Sequence, residues 1–304
     1  MDGPPISVVM PAFNAAATIA RALDSIAAQT RPPAEVIVVD DASTDATAAI
    51  AAAHALQPRI VRHPANRGGA AALQSGLEAA ASDWVAFLDA DDEWLPGKLA
   101  AQAAARVAAP AATLVATGFS FIDRAGREAW EYGVTPFKHA GRDFWRNLLL
   151  DSAILQSSAL VPRRVVLATG GVDVSMRTGY DQQLFVRLAA LGPVAYVHDR
   201  LVRYHDAPGS LTKRPRVADI LPVLAMHERH LALFAERLTA AERREVRRRR
   251  HAEAAGGLIA AKAWGPALRA TAIALKSGEP PAPALWRLVT NLPPVRQLKR
   301  LARP

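Results

Sequence analysis

The sequence predicts an α/β fold: a mostly parallel sheet flanked by helices, followed by a helical C-terminal extension. Three observations lead there. Over residues 6–104, short apolar runs alternate with Ala-rich stretches of helical period, the βαβα pattern of a parallel sheet. Two acidic clusters, Asp40-Asp41 and Asp89-Ala90-Asp91-Asp92, directly follow such runs, and open α/β sheets bind ligands at the carboxyl ends of their strands. Beyond Lys213 the pattern turns helical and the charge changes sign. Residues 213–304 carry 19 Lys and Arg against 7 Asp and Glu, whereas residues 1–212 carry 18 against 21. The expected organisation is an α/β domain over 1–212, with halves 1–104 and 105–212, and a basic helical extension over 213–304.

Each element has its own signal. Ile6–Met10 (ISVVM) reads as a buried strand stopped by Pro11, and Asn14 as the N-cap of a helix running to Ala28, with Ile19, Leu23 and Ile26 on one face. Glu35–Asp40 (EVIVVD) is a second strand, followed by a turn at Asp41–Thr44 and a helix to about Leu56. Arg59–Arg62 is a short third strand, Asn66–Gly69 opens a helix to Ala81, and Trp84–Leu88 (WVAFL) is a fourth strand. Thr113–Ile122 reads as a strand, Asp123–Gly126 as a turn, and 130–156 as a loop with a short helix. Further expectations are strands at Ser157–Val161, Val194–Tyr196 and Leu201–Tyr204, and a helix at Asp181–Leu191. Lys213–Arg216 marks a boundary. Helices are expected around 217–254, 256–276 and 283–302, separated by Gly256-Gly257 and by Gly278–Pro283.

Composition narrows the function. The 304 residues are 51% hydrophobic and 21% charged, with a net charge of +9 and no cysteine. Disulfide scaffolds, thiolate metal sites and cysteine nucleophiles are therefore excluded. The opening MDGPPISVVMPAF lacks a basic segment followed by an apolar one, so a secretory leader is not expected. The uncharged stretch between Arg106 and Asp123 is broken by Pro110 and Gly118 and is shorter than the roughly 20 apolar residues of a spanning helix.

Asp89-Ala90-Asp91-Asp92 is the strongest chemical signal. Alternate carboxylates on a tight turn after a buried strand can reach one hard divalent cation and leave positions for phosphate oxygens and water. Asp92 and Glu93 could equally begin the next helix, where negative charge is favoured. Asp40 ends the second strand, where a carboxylate can accept a hydrogen bond from a base or sugar. Asp41 or Ser43 could instead cap the following helix. Pro11-Ala12-Phe13-Asn14 lacks the Gly-rich turn a dinucleotide requires, which removes the main support for nicotinamide binding. Asn66-Arg67-Gly68-Gly69 opens a helix whose amides, with Arg67, suit a diphosphate, though helix entry by glycine explains the same residues.

In this order and spacing, SVVMPAFNAAATIARALDSIAAQT, VIVVDDASTDAT, NRGGAAALQSGL and WVAFLDADDEWLPGKL resemble the family-2 glycosyltransferases of GT-A fold, a Rossmann-like α/β sheet. The resemblance is dense over about 6–104 and sparser over 155–212. It implies a nucleotide-diphosphate sugar as donor, commonly a UDP-sugar, and inversion at the anomeric carbon. By the same resemblance Pro11, Ala12, Phe13, Asn14 and Asp40 border the base, Asp89 lies by the ribose, Ala90 belongs to the nucleotide-sugar site, and Asp91 binds Mn²⁺ or Mg²⁺. The segment from Gly179 to Leu188 resembles the family's Glu-Asp segment, which makes Asp181 the catalytic base, with Tyr180 where the glutamate is usual. A helix-capping role would also explain Asp181. His205, after the Val202-Arg203-Tyr204 strand end, matches the histidine that approaches the metal or diphosphate, and its neutral imidazole could complete the coordination shell. The implied acceptor is a glycan or lipid-linked hydroxyl.

The aromatics Trp130, Tyr132, Phe137, Phe144 and Trp145 are either sugar-stacking or core residues. In the extension, Leu231, Phe234, Leu238 and Val246 oppose Arg243, Arg244 and 247–250, and Trp286 to Leu301 interleaves with further cations. Such helices can lie on an anionic membrane surface or simply pack their apolar faces. A cytoplasmic enzyme is the expectation, its basic tail left open to the inner face of the cytoplasmic membrane, to a partner or to packing on the catalytic domain. The alternative is a non-catalytic nucleotide- or glycan-binding module docked through its basic tail. A specific nucleic-acid partner is not expected, because no recognition motif accompanies the charge. A nucleotidyltransferase would need a Gly-rich N-terminal loop that is missing here.

Overall fold

The Val- and Ile-rich runs do pair into a sheet. The computed structural model describes residues 3–132, 143–150, 154–206 and 216–281, without the side chains of 129–132. The chain divides into two compact units, Met1–Ser210 and Leu211–Pro304. In the first, the elements run β1 (Ile6–Ala12), α1 (Ile19–Ala27), β2 (Glu35–Asp40), α2 (Thr47–Ala53), β3 (Arg59–Arg62), α3 (Gly69–Ala79), β4 (Trp84–Phe87), β5 (Glu93–Trp94) and α4 (Lys98–Ala108). They continue with β6 (Leu114–Ile122), β7 (Glu128–Tyr132), α5 (Trp145–Leu150), a 3-10 turn at Gln156–Ser158, β8 (Ala159–Pro162), α6 (Arg163–Ala168), α7 (Tyr180–Leu191) and β9 (Val194–His205).

The strands form one sheet in the order β3-β2-β1-β4-β8-β6-β9-β5, with β7 paired to β6. The first four strands are parallel, and β1 and β2 bury almost every residue. That burial on both faces is why they read as continuous apolar runs rather than alternating ones. Helix α3 lies so close to the sheet that a Cβ on Gly76 would sit 2.2 Å from Val9 Cγ1. Strand β8 is antiparallel to both β4 and β6, and β9 is parallel to β6. This reversal decides the site, because it returns the chain before β8 to the end of β4.

Several local expectations change. Asn14 does not cap α1, which starts at Ile19. It sits at φ 49°, its N–H donates to Ser43 Oγ and its side-chain oxygen accepts Thr44 N–H. Asp92 and Glu93 do not begin a helix either, since Glu93-Trp94 pairs with Arg203 and Val202 and α4 starts only at Lys98. The two short strands expected around 194–204 are the single β9, with its register shifted opposite Gly118. Phe144 and Trp145 are core, at 2% and 0% exposure. The side chains of Trp130 and Tyr132, and all of Phe137, lie outside the described residues.

The second unit contains α8 (Val217–Leu233), α9 (Ala240–Ala260) and α10 (Trp264–Lys276). The single helix expected over 217–254 breaks before Thr239, which forms a capping box with Glu242. Gly256-Gly257 does not end α9, which runs on to Ala260. Two helical glycines cost about 1 kcal/mol each, and the buried cluster of Ala255, Leu258, Ile259, Ala267 and Ala270 offsets that. Leu231, Phe234, Leu238 and Val246 are buried. The arginine run is internally paired: Arg247 with Glu228, Arg248 with Glu245 and Glu279, Arg249 with Glu245, and Arg250 with Glu253. Residues 213–215 and the segment from 283 to 302 lie outside the described residues. Among the described residues, no helix is long and apolar enough to cross a membrane.

Candidate active site

The crevice lies at the carboxyl ends of β1, β2 and β4. Parallel pairing sets Ala12 beside Asp40, and Leu88 N–H donates to Val9 O, so the three strand ends lie together. Pro11 and Ala12 complete β1, and Phe13 projects with 50% exposure at its mouth. Asn14 then ties this segment to the loop carrying Ser43 and Thr44.

Asp40 is fully enclosed. It accepts Ser43 N–H at 3.0 Å and lies 3.1 Å from Arg62 Nε, which places its carboxylate beneath the crevice surface. Asp41 does not cap a helix. Its carboxylate takes His63 Nδ1 at 2.6 Å and the amides of Arg67 and Gly68 at 2.9 and 2.7 Å. Those two amides are therefore committed within the protein and do not serve an incoming anion, whereas the Arg67 side chain is exposed.

The turn after β4 holds three carboxylates close together in the chain. Asp89 donates its N–H to Ser157 Oγ at 3.0 Å and accepts Gln156 Nε2. Burial first, then repulsion from Asp91 and Asp181, pushes its carboxyl up to about 8. Ala90 is buried behind it. Asp91 is also raised by burial, against the attraction of Arg21 and His205, and its carbonyl accepts Arg21 at 2.6 Å. Asp92 faces inward and is raised well above the usual range, again by burial first. His205 Nε2 lies 3.3 Å from Glu93 Oε2, and burial, then Arg21, lower its pKa against the pull of Glu93.

Helix α7 enters from the other side. Its N-cap, Gly179, is left-handed at φ 74°, a conformation suited to glycine. The turn carries Asp181 into the electrostatic reach of Asp89, and burial raises Asp181 as well. Tyr180 packs against the start of α3, where a Cβ on Gly69 would lie 2.6 Å from its hydroxyl. Its phenol is kept neutral by burial and by the three surrounding carboxylates, and it is hydrogen-bonded to Gln156.

The candidates Asp89, Asp91, Asp181 and His205 thus converge, while Asp40 stands behind the surface. Gln156, Ser157 and Arg21 join the site without a local sequence signal. Ala86 pairs with Leu160 across the antiparallel β4–β8 ladder, so continuing that register brings 156–157 to Asp89. Among the described residues, no group of three or more His, Asp or Glu side chains could by itself hold a metal. Asp91 with His205 nevertheless suits a divalent cation that takes its remaining ligands from phosphate and water. Three mutually repelling, desolvated carboxyls supply the chemical reason for a cation there.

Comparison with known proteins agrees with this geometry. Residues 7–166 match the sequence profile of Glycosyl transferase family 2. The chain belongs to that family. It is 30% identical over 214 residues to the putative teichuronic acid biosynthesis glycosyltransferase TuaG of Bacillus subtilis, covering 69% of this chain and 82% of TuaG. Matches to several other curated relatives span only 27–30% of their length. Its fold is similar to that of S. aureus TarS 1–349 in complex with UDP-GlcNAc, with a TM-score of 0.60, 18% identity, and coverage of 98% of this chain and 92% of that one. It is also similar to the mannosyltransferase PcManGT of Pyrobaculum calidifontis in complex with GDP-Man and Mn²⁺, with a TM-score of 0.54, 26% identity, and coverage of 97% and 83%. This family-2 chain therefore has the GT-A fold, with its carboxylate-lined crevice at the strand ends.

Proposed function

We propose that this family-2 chain transfers a glycosyl group from a nucleotide-diphosphate sugar, a UDP-sugar by preference, to a hydroxyl of a glycan or lipid-linked acceptor. The observation that carries the reading is the convergence of Asp89, Asp91 and Asp181 on one crevice, where each carboxyl is raised. A binding module would have no use for a basic carboxylate beside the donor site. The nucleotide sugars bound by TarS and PcManGT support the donor class.

In this reading the acceptor oxygen attacks the anomeric carbon as the bond to the diphosphate oxygen breaks, and Asp181 takes the hydroxyl proton. One displacement inverts the centre. Raising Asp181 towards the working pH strengthens it as a base, and such catalysis contributes roughly 10²–10⁴-fold. Phe13 stacks on the base, Asp89 receives ribose hydroxyls, and Arg67 faces the diphosphate. Asp91 and His205 would hold Mn²⁺ or Mg²⁺, which neutralises leaving-group charge. The Mn²⁺ bound by PcManGT supports this assignment. The cytoplasmic, membrane-peripheral placement rests on the excess of Lys and Arg over 213–304 outside the paired run, and vesicle co-sedimentation tests it.

The deciding experiment screens nucleotide-diphosphate sugars with and without Mn²⁺ or Mg²⁺, scoring nucleotide release and thermal stabilisation. Release from at least one donor is expected. Stabilisation without release in the presence of diverse acceptors would favour the binding module, and no response to any nucleotide sugar would overturn the proposal.

A further inference from the structure

Three segments distant in sequence meet at one carboxylate that the mechanism does not use. Asp92, with 0% exposure, accepts the Ser157 hydroxyl at 2.5 Å and the His205 N–H at 3.2 Å. The same Ser157 oxygen accepts Asp89 N–H. Ser157 is itself held from behind, because the Trp94 indole donates to its carbonyl at 2.7 Å. Lys98 Nζ lies 3.8 Å above the Trp94 ring and donates to Gln102 at 2.9 Å, and Gln102 donates to Ser158 O. The joint thus rests on a packed base rather than on a loop.

Burying a carboxylate that faces no solvent is costly unless hydrogen bonds satisfy it. Here the bonds end on the backbone on either side of the crevice: one branch reaches Asp89 through Ser157, and the other reaches His205 directly. Asp91 lies on the same turn as Asp92. From this we infer that Asp92 and Ser157 are positioning residues, which fix Asp91 relative to His205 and thereby set how tightly the crevice takes a divalent cation with a nucleoside diphosphate. The inference rests on the nucleotide-sugar reading of the crevice. Ligand sets tolerate errors of only about 0.5 Å, and losing an outer partner of a metal ligand typically weakens metal binding by about 10–100-fold.

The test uses the full chain and two variants. Ser157→Ala removes the hydroxyl that bridges Asp92 and Asp89. Asp92→Asn keeps the volume but turns one acceptor into a donor. Mn²⁺ is titrated in the presence of UDP, followed by calorimetry and thermal shift, and in turnover assays with whichever donor the unmutated chain uses. The expected result is a half-saturating Mn²⁺ concentration raised about tenfold or more, with the larger change in Ser157→Ala and turnover largely recovered at saturating Mn²⁺. A native Mn²⁺ requirement in variants that fold would overturn the inference. So would turnover lost equally at every Mn²⁺ concentration. If Ser157→Ala fails to fold, Asp92→Asn decides. Should the unmutated chain bind UDP no better with Mn²⁺ than with EDTA, the donor-site reading fails first, in a measurement that involves no variant.

Discussion

Gly69→Ala is the sharpest perturbation the crevice offers. In a free helix this change is favourable by about 0.4–1 kcal/mol, since alanine loses less backbone entropy on folding. Here the new Cβ would lie 2.6 Å from the Tyr180 hydroxyl and 3.4 Å from Cζ. The hydroxyl is therefore too close by about 0.8 Å while the ring is in ordinary contact. Tyr180 is half-buried and its hydroxyl is bonded to Gln156, the residue that holds Asp89. Moving the ring forfeits a hydrogen bond worth about 1 kcal/mol and adds overpacking strain of about 1–3 kcal/mol. Together these costs exceed the helix gain, so Gly69→Ala should lower stability by about 1–3.5 kcal/mol and weaken UDP binding through Asp89. Tyr180→Phe removes the offending oxygen, and Gly69→Ala added to it should be neutral or stabilising. A double-mutant cycle in urea denaturation, repeated for UDP binding by calorimetry, measures the coupling. A destabilisation by Gly69→Ala that is equal in both backgrounds, or none in either, would refute the reasoning.

Asp181→Asn should cut turnover by about 10²–10⁴-fold while leaving UDP affinity within a few-fold; parallel loss of both would make Asp181 structural. In the unmutated chain, the acidic limb of the pH–rate profile should sit above the ordinary carboxylate range if Asp181 is the base, since a base works only when ionised and burial raises the pKa of Asp181. Asp89 is held neutral up to about pH 8 by burial and its acidic neighbours. It must ionise as a cation enters, so Mn²⁺-dependent UDP binding should tighten from pH 6 to 8 and release protons, read by calorimetry in buffers of different ionisation enthalpy. In the second unit, burial and then Arg250 lower His227 to about 2. Below the unfolded value near 6.5 the unfolded chain takes up a proton that the folded one refuses, so acid weakens the fold. The loss is about 1.4 kcal/mol per pH unit, or about 2 kcal/mol between pH 6.5 and 5. A His227→Leu variant should flatten that slope in denaturant titrations, and an unchanged slope would count against the assignment.

Legibility of the site followed the range of the interactions. Asp89 and Asp91 were visible because a buried strand, a tight turn and alternate carboxylates are neighbours in the chain. Asp181 was visible through its motif, not through any local rule that separates a base from a helix-end carboxylate. Asn14 has the composition of a helix cap, yet its partners Ser43 and Thr44 lie a strand and a helix away. Gly256-Gly257 has the composition of a break, yet tertiary packing carries α9 through it. The amides at Arg67 and Gly68 have the local setting of an anion site, yet the Asp41 carboxylate, about 26 positions away in the chain, accepts them.

Local patterning alone determined the α/β class, the family motifs over 6–104 and the basic helical extension, since apolar period, turn residues and net charge are properties of contiguous residues. Only the tertiary structure decided which acidic groups face the crevice. It turned Asp40 and Asp92 inward, left Asp89, Asp91 and Asp181 to share one desolvated space, and paired the arginines of 247–250 with glutamates of their own unit. The physical reason is that a carboxylate's environment is set by what the sheet brings beside it. The antiparallel return of β8 along β4 delivered Gln156 and Ser157 to residues about 67 positions earlier in the chain.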